Sequence, residues 1–169
     1  MIGHLSSQWM LIIDFAAWLC INLGVSGSIS LLRSDSFNAQ VWLYRERDWE
    51  KKSRIYELLL RVKKWKSWLP DGAIVSRKAF RKKHLLNSDS VYLEKFLQET
   101  CRAELLHWII FLFCPVFFIW NPWYVGLIMI LYAAVTNLPC IITQRYNRIR
   151  LKRVIQAVHF SKDVSIRVE

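Results

Sequence analysis

Four ionisable residues stand at the start of an apolar segment in the middle of the chain: Glu99, Arg102, Glu104 and His107. In a helix, residues three or four positions apart share a face, so Glu104 and His107 can contact each other. A histidine oriented by a carboxylate can remove a proton from a hydroxyl group. Charged groups close to a membrane interior are costly, which makes them functional candidates. We therefore predict His107 as a general base and Glu104 as its orienting partner.

A second set of amide and guanidinium side chains lies at the end of the last apolar segment. This set comprises Asn137, Gln144, Arg145, Asn147 and Arg148. The turn Asn121-Pro122 separates two apolar segments, so these form a hairpin that brings their polar ends together. Guanidinium and amide groups can stabilise an oxyanion or bind phosphate. We expect this second set, with Glu99 and Arg102, to bind substrate, and the combination suits acyl transfer.

Two other interpretations of these residues stay open. In the first, the groups only neutralise one another at helix ends, with Glu99 paired to Arg102 and Glu104 paired to Arg145 or Arg148. In the second, Glu104-x-x-His107 is half of a di-iron motif, but the chain contains no second copy. We therefore expect neither a metal nor a bound cofactor.

The composition predicts an all-α membrane protein with about three transmembrane helices, since 54% of the residues are hydrophobic and 14% are aromatic. Two windows, Trp9–Leu32 and Trp123–Ile142, approach or exceed the length needed to cross a bilayer. A third, Leu105–Trp120, would cover only about 24 Å as a helix, so full crossing stays open. Asp14 interrupts the first window, and we expect it near the outer interface.

The positive charge is distributed unevenly along the chain. None of the 24 Lys and Arg residues precedes Arg33, and none lies in the turn at Asn121-Pro122. The positive-inside rule therefore puts the N-terminus outside the cell membrane and the basic parts in the cytoplasm. A cleaved signal peptide is the alternative for the first segment. Because this segment lacks the basic residues with which signal peptides usually begin, we favour a retained anchor. The predicted parts are an N-terminal transmembrane helix (1–32), a basic interfacial region (33–104), a transmembrane hairpin (105–143) and a basic tail (144–169).

The basic interfacial region combines aromatic and cationic residues. Its apolar residues at helical spacing are Ile55, Leu58, Leu59, Val62 and Trp65. This pattern predicts an amphipathic helix lying in the membrane interface among anionic headgroups. The chain has no recognisable nucleic-acid-binding motif, so we expect no nucleic acid partner. After Leu151 we expect a short surface helix.

A second pair of candidate catalytic residues, His84 and Asp89, lies between the predicted amphipathic helix and Glu99. His84 and Asp89 have the H-x4-D spacing of glycerolipid acyltransferases, although the rest of that signature is missing. A basic run at residues 77–83 precedes them. It could bind the phosphates of coenzyme A or lipid headgroups, and the sequence leaves both open.

Several motifs over residues 40–151 resemble, in the same order, a family of small bacterial membrane enzymes, the glycosyl-4,4'-diaponeurosporenoate acyltransferases of staphyloxanthin-type carotenoid synthesis. The motifs are Lys64-Trp65-Lys66, Leu69-Pro70-Asp71-Gly72, His84-Leu85, Glu99-Thr100, Arg102-Ala103-Glu104, His107-Trp108 and Gln144-Arg145-Tyr146-Asn147-Arg148. The chain departs from the family pattern at Ile149, where proline is typical.

The resemblance implies transfer of a fatty acyl group to the sugar hydroxyl of a glycosylated C30 carotenoid acid, or of another membrane glycolipid. The expected donor is a thioester, acyl-CoA or acyl carrier protein, used as a co-substrate. The resemblance does not assign catalytic residues, and the oligomeric state stays open. A noncatalytic membrane adaptor or lipid-binding protein is the alternative function.

Overall fold

The computed structural model describes residues 7–66, 69 and 90–168, and these contain helices and loops but no strand. The α-helices are α1 (Ser7–Leu31), α2 (Arg54–Leu58), α3 (Val62–Trp65), α4 (Ser90–Leu112) and α5 (Trp123–Val168). Short 3-10 helices cover Ser34–Ser36, Asp48–Ser53 and Cys114–Ile119. Three of the described helical stretches are long and apolar enough to cross a membrane. The prediction of an all-α membrane protein is confirmed.

The second apolar stretch differs from the predicted window Leu105–Trp120. Its helix α4 begins at Ser90 and ends at Leu112, and the following residues form the 3-10 helix with Pro115 near its start. The apolar stretch therefore runs over Tyr92–Ile119, which is 28 residues. The window was too short because it began only after the last charged residue, whereas charged side chains are accommodated on the first turns of α4.

The third stretch is longer than predicted. Helix α5 begins at Trp123, directly after the expected turn, and continues through Pro139 for 46 residues. The separate surface helix expected after Leu151 was wrong, because that segment belongs to α5. Proline in a helix interior removes one hydrogen bond, and the long packed helix tolerates this loss.

By its contacts the chain divides into two units, and each unit has its own core. The first comprises the described residues 7–32 and 105–141. Its core is built from Trp18, Ile110, Cys114, Phe117 and Ala133. The Trp18 ring stacks on Phe117 with centroids 4.9 Å apart, and its Nε1 atom donates to Met129 Sδ. Helix α1 thus packs against α4, the 3-10 helix and α5.

Asp14, which the sequence analysis expected near the outer interface, is buried within the protein, with only 3% of its surface exposed. Its Oδ1 atom accepts hydrogen bonds from Trp120 Nε1 at 2.8 Å and Asn121 Nδ2 at 2.7 Å. The sequence did not predict these partners, which belong to the turn between the other two apolar stretches. A polar group inside an apolar environment is stable when its hydrogen bonds are satisfied, so Asp14 fastens α1 to this turn.

The second unit comprises the described residues of 33–104 and 142–168. The single amphipathic helix predicted for residues 55–65 is wrong, because the chain breaks between α2 and α3, and Arg61 adopts a left-handed conformation with φ of 47°. Tyr56, Val62, Tyr146 and Ile149 form a buried cluster. Val62, expected to face lipid, is therefore a core residue.

Candidate active site

His107 lies on α4, and its imidazole contacts the amide of Asn137 on α5. The distance between His107 Nδ1 and Asn137 Oδ1 is 3.0 Å. The Asn137 amide nitrogen donates to the Ala133 carbonyl at 3.0 Å and to Thr136 Oγ1 at 3.1 Å. These two bonds fix the orientation of the amide, because its nitrogen faces the preceding turn of α5 and its oxygen faces the imidazole.

The orientation of this amide determines the tautomer of His107. An amide oxygen can only accept, so Nδ1 of the neutral imidazole must carry the hydrogen atom. Nε2 then keeps a free electron pair and can accept a proton from a substrate. Asn137 was predicted to bind substrate, and in the structure its amide oxygen contacts the predicted base.

Glu104 is fully buried on the same helix and neutralises two arginines. Its Oε1 atom lies 3.1 Å from Arg145 Nη1, and its Oε2 atom forms an ion pair with Arg148 Nη1. These are the pairs expected if the charged groups only neutralise one another at the helix ends. The orienting group that the structure gives His107 is the Asn137 amide.

The arginines that bind Glu104 have further partners in the same unit. Arg145 Nε lies 2.7 Å from Glu50 Oε1, and its Nη atoms donate to the carbonyls of Leu43 and Arg45. Arg148 Nε donates to the Tyr44 carbonyl at 3.1 Å. We call Glu50, Glu104, Arg145 and Arg148 the ion-pair network; two positive and two negative groups make it neutral. Nη2 of Arg148 is buried and has no hydrogen-bond partner in the described part of the chain.

Glu50 is the second carboxylate of the ion-pair network and is also fully buried. It accepts hydrogen bonds from Tyr56 Oη and from the Arg47 backbone N–H, each at 2.5 Å. Burial alone would raise the pKa of Glu50, but the hydrogen bonds from Arg145, Tyr56 and the Arg47 backbone outweigh it, so the pKa lies below its usual value. Glu50 is therefore charged at neutral pH.

The remaining predicted site residues make other contacts. Glu99 pairs with Arg102 at 2.8 Å and accepts from Ser34 Oγ at 2.5 Å, so it links α4 to the 3-10 helix Ser34–Ser36 that follows α1. Asn147 Oδ1 accepts from Lys66 Nζ at 3.3 Å. Gln144 is partly buried on α5. The basic run 77–83, His84 and Asp89 lie outside the described residues.

Sequence reasoning missed Glu50, Tyr44 and Tyr56. Burial raises the pKa of Tyr44 to about 12, so its phenol stays neutral beside the guanidinium of Arg148. The usable signal was charge balance, because a buried arginine pair needs two carboxylates. Eight Asp and Glu residues precede α4, however, and nothing in the sequence singled out Glu50 among them. The spacing gave no indication, because Glu50 and Arg145 are 95 residues apart.

No group of three or more His, Cys, Asp and Glu side chains that could hold a metal ion occurs within residues 7–66, 69 and 90–168. The four cysteines in this part of the chain are free thiols, with Cys101 and Cys114 buried.

Comparisons with known proteins agree with the resemblance of the motifs. A family model described as glycosyl-4,4'-diaponeurosporenoate acyltransferase matches residues 40–157. A relative of that name from Staphylococcus aureus (strain bovine RF122 / ET3-1) is 34% identical over 140 residues, which cover 82% of this chain and 84% of the relative. The protein of the same name from strain USA300 is 33% identical over the same shares of both chains.

No solved structure matches the chain. The family match covers more than half of the residues, and both relatives match over most of their length. The chain belongs to the glycosyl-4,4'-diaponeurosporenoate acyltransferase family and is an acyltransferase.

Proposed function

We propose that this protein transfers a fatty acyl group from a thioester donor to a sugar hydroxyl of a membrane glycolipid. The acceptor we propose is a glycosylated C30 carotenoid acid, in keeping with the names of the family and its relatives. Apolar helices long enough to cross a bilayer agree with an acceptor that is itself dissolved in the membrane. The observation that carries the mechanism is the contact between His107 and Asn137.

In the proposed reaction, Nε2 of His107 accepts the proton of the sugar hydroxyl as its oxygen attacks the thioester carbonyl carbon. The carbon–sulfur bond then breaks, and the leaving thiolate takes the proton from the imidazolium. One ester and one free thiol form, and the imidazole returns to its neutral form. The Asn137 amide holds the hydrogen on Nδ1, so Nε2 stays available in each cycle.

We propose that Glu104 contributes through the ion-pair network, by holding Arg145 and Arg148 in place. The described donors of Arg145 are directed to Glu50, Glu104 and backbone carbonyls, so this arginine has a structural task. Arg148 retains an Nη2 donor beyond its contacts in the described part of the chain. We retain Glu99, Arg102, Gln144, Asn147 and Arg148 as proposed substrate contacts.

The positive-inside pattern supports a proposed topology with the N-terminus outside and the basic regions in the cytoplasm. This orientation puts the residues rich in Lys and Arg on the side where acyl-CoA and acyl carrier protein occur. We propose one of these as donor, as a co-substrate that leaves after each turnover.

Purified protein in phospholipid vesicles, supplied with acyl-CoA and a glycosylated carotenoid acid, tests this function. We expect an acylated product by mass spectrometry and an equal amount of free coenzyme A thiol. The same carotenoid acid without its sugar is the control and should give neither. If folded protein forms no ester with acyl-CoA or with acyl carrier protein as donor, the proposed combination of thioester donor and glycosylated carotenoid acceptor is wrong.

A further inference from the structure

Three consecutive leucines form an exposed turn between α2 and α3. Leu58 and Leu59 are 77% and 78% exposed, and Leu60 is 37% exposed, whereas the neighbouring Tyr56 and Val62 are buried in the core of the same unit. Large aliphatic side chains are usually buried, and a contiguous exposed group of them marks an interaction surface. We call residues 58–60 the leucine turn.

The leucine turn is held in a defined conformation. The backbone N–H groups of Leu59 and Leu60 donate to the Ile55 carbonyl at 3.0 and 3.3 Å. The indole Nε1 of Trp65 donates to the Leu60 carbonyl at 2.7 Å. Arg61 adopts its left-handed conformation immediately afterwards, which ends the turn. The exposure of the leucines is therefore fixed by the backbone and by the buried residues on both sides.

The surroundings of the leucine turn are positively charged. Arg54, Arg61, Lys63 and Lys64 are exposed. Glu57, the acidic residue in this stretch, pairs with Lys63 at 2.9 Å. Apolar side chains that enter the acyl region, flanked by cations that meet headgroup phosphates, are typical of a surface that binds an anionic membrane.

We infer that the leucine turn inserts into the interface of an anionic phospholipid bilayer and is a membrane contact separate from the spanning helices. Leu58 and Leu59 enter the acyl-chain boundary, and the flanking cations bind anionic headgroups. A bilayer is always present for this chain, since it contains helices able to span one. The inference goes beyond acyl transfer and does not depend on which residue is the base.

The test uses the full chain in vesicles, without donor or acceptor. An environment-sensitive fluorescent amino acid replaces Leu59 in one sample and the exposed Asp48 in a control sample. The vesicles contain phosphatidylcholine and phosphatidylglycerol. We expect doxyl-labelled lipid to quench the probe at position 59. Iodide in the water should quench the probe at position 59 at least threefold less than the probe at position 48.

The composition of the vesicles tests the role of charge. In phosphatidylcholine alone, iodide should reach position 59 more easily, and Arg54→Gln with Lys64→Gln should give the same result in the mixed vesicles. Free access of iodide in the mixed vesicles would overturn the inference. Protection from both quenchers would also overturn it, because the turn would then be covered by protein. Equal protection in both kinds of vesicle would rule out recognition of anionic lipid.

Discussion

An amide and a carboxylate can both orient a histidine, but only the carboxylate adds a charge. His107 lies within an apolar stretch, where an unpaired charge is costly. The Asn137 amide orients the imidazole without that cost, and its own nitrogen is satisfied by Ala133 and Thr136. Glu104, the carboxylate about one helical turn before His107 on α4, is neutralised by arginines.

Asn137→Ala should reduce kcat roughly 10- to 100-fold, because loss of the acceptor lets His107 adopt the tautomer with its hydrogen on Nε2. KM should change much less, since the base and not the binding of substrate is affected. Asn137→Asp retains an acceptor oxygen and should keep more activity than the alanine variant. Steady-state kinetics in vesicles measure all three proteins, and an unchanged kcat in Asn137→Ala would refute the positioning role.

Glu104→Gln should destabilise the protein by about 3–5 kcal/mol, because it leaves two buried guanidinium groups short of one counter-charge. Asp35→Asn is the matched control, since the Asp35–Arg33 pair is exposed and such pairs contribute about 0–1 kcal/mol. Denaturant unfolding in detergent measures both variants. Equal losses would show that the ion-pair network does not stabilise the fold.

Glu50 makes the stability depend on pH. Its pKa is lower in the folded than in the unfolded protein, so its contribution is complete above the unfolded value of about 4.3 and is lost as the pH falls through the folded value. The difference in unfolding free energy between the wild type and Glu50→Gln should therefore be constant from pH 7 to about 5 and shrink below that. A difference that does not change with pH would contradict this assignment.

At the scale of elements, apolar runs predicted the three long helices and the start of α5, but not the start of α4 or the end of α5. The window Leu105–Trp120 left out the first turns of α4 because they are amphipathic and not uniformly apolar. Helical spacing predicted one helix over residues 55–65, but the left-handed conformations of Ser53 and Arg61 divide this segment. Such breaks arise when side chains such as Tyr56 and Val62 must be buried in the same core. The spacing of apolar residues along the chain does not show which of them share a core.

Asp14→Ala should weaken the attachment of α1, because it leaves the Trp120 and Asn121 donors buried without an acceptor, at about 1–3 kcal/mol for each. Asp14→Asn keeps an acceptor oxygen, so its loss should be clearly smaller. The midpoint of thermal unfolding in detergent distinguishes the two variants. If both lose the same stability, the carboxylate acts through its charge and not as a hydrogen-bond acceptor.

At the scale of the whole molecule, residue types predicted some of the groups in these contacts, whereas the choice of their partners required the structure. The sequence alone offered Glu104 either His107, by helical spacing, or an arginine that the predicted hairpin brings close. In the structure, Glu50 accepts from Arg145 and the Tyr44 carbonyl accepts from Arg148, although both come from a distant part of the chain. Tyr56 in turn donates to Glu50. Long-range contacts of this kind leave no periodic signal in a single sequence.

The most direct test of the central claim compares the two histidines that the sequence offered as bases. Acyl transfer from acyl-CoA to a glycosylated carotenoid acid is measured for His107→Ala and His84→Ala in vesicles of the same composition. Thermal unfolding is used to check that both samples contain the same amount of folded protein. We predict that kcat falls by roughly 100-fold or more in His107→Ala, as expected for loss of a general base, and stays within about threefold of wild type in His84→Ala. Full activity of His107→Ala would contradict the proposed mechanism.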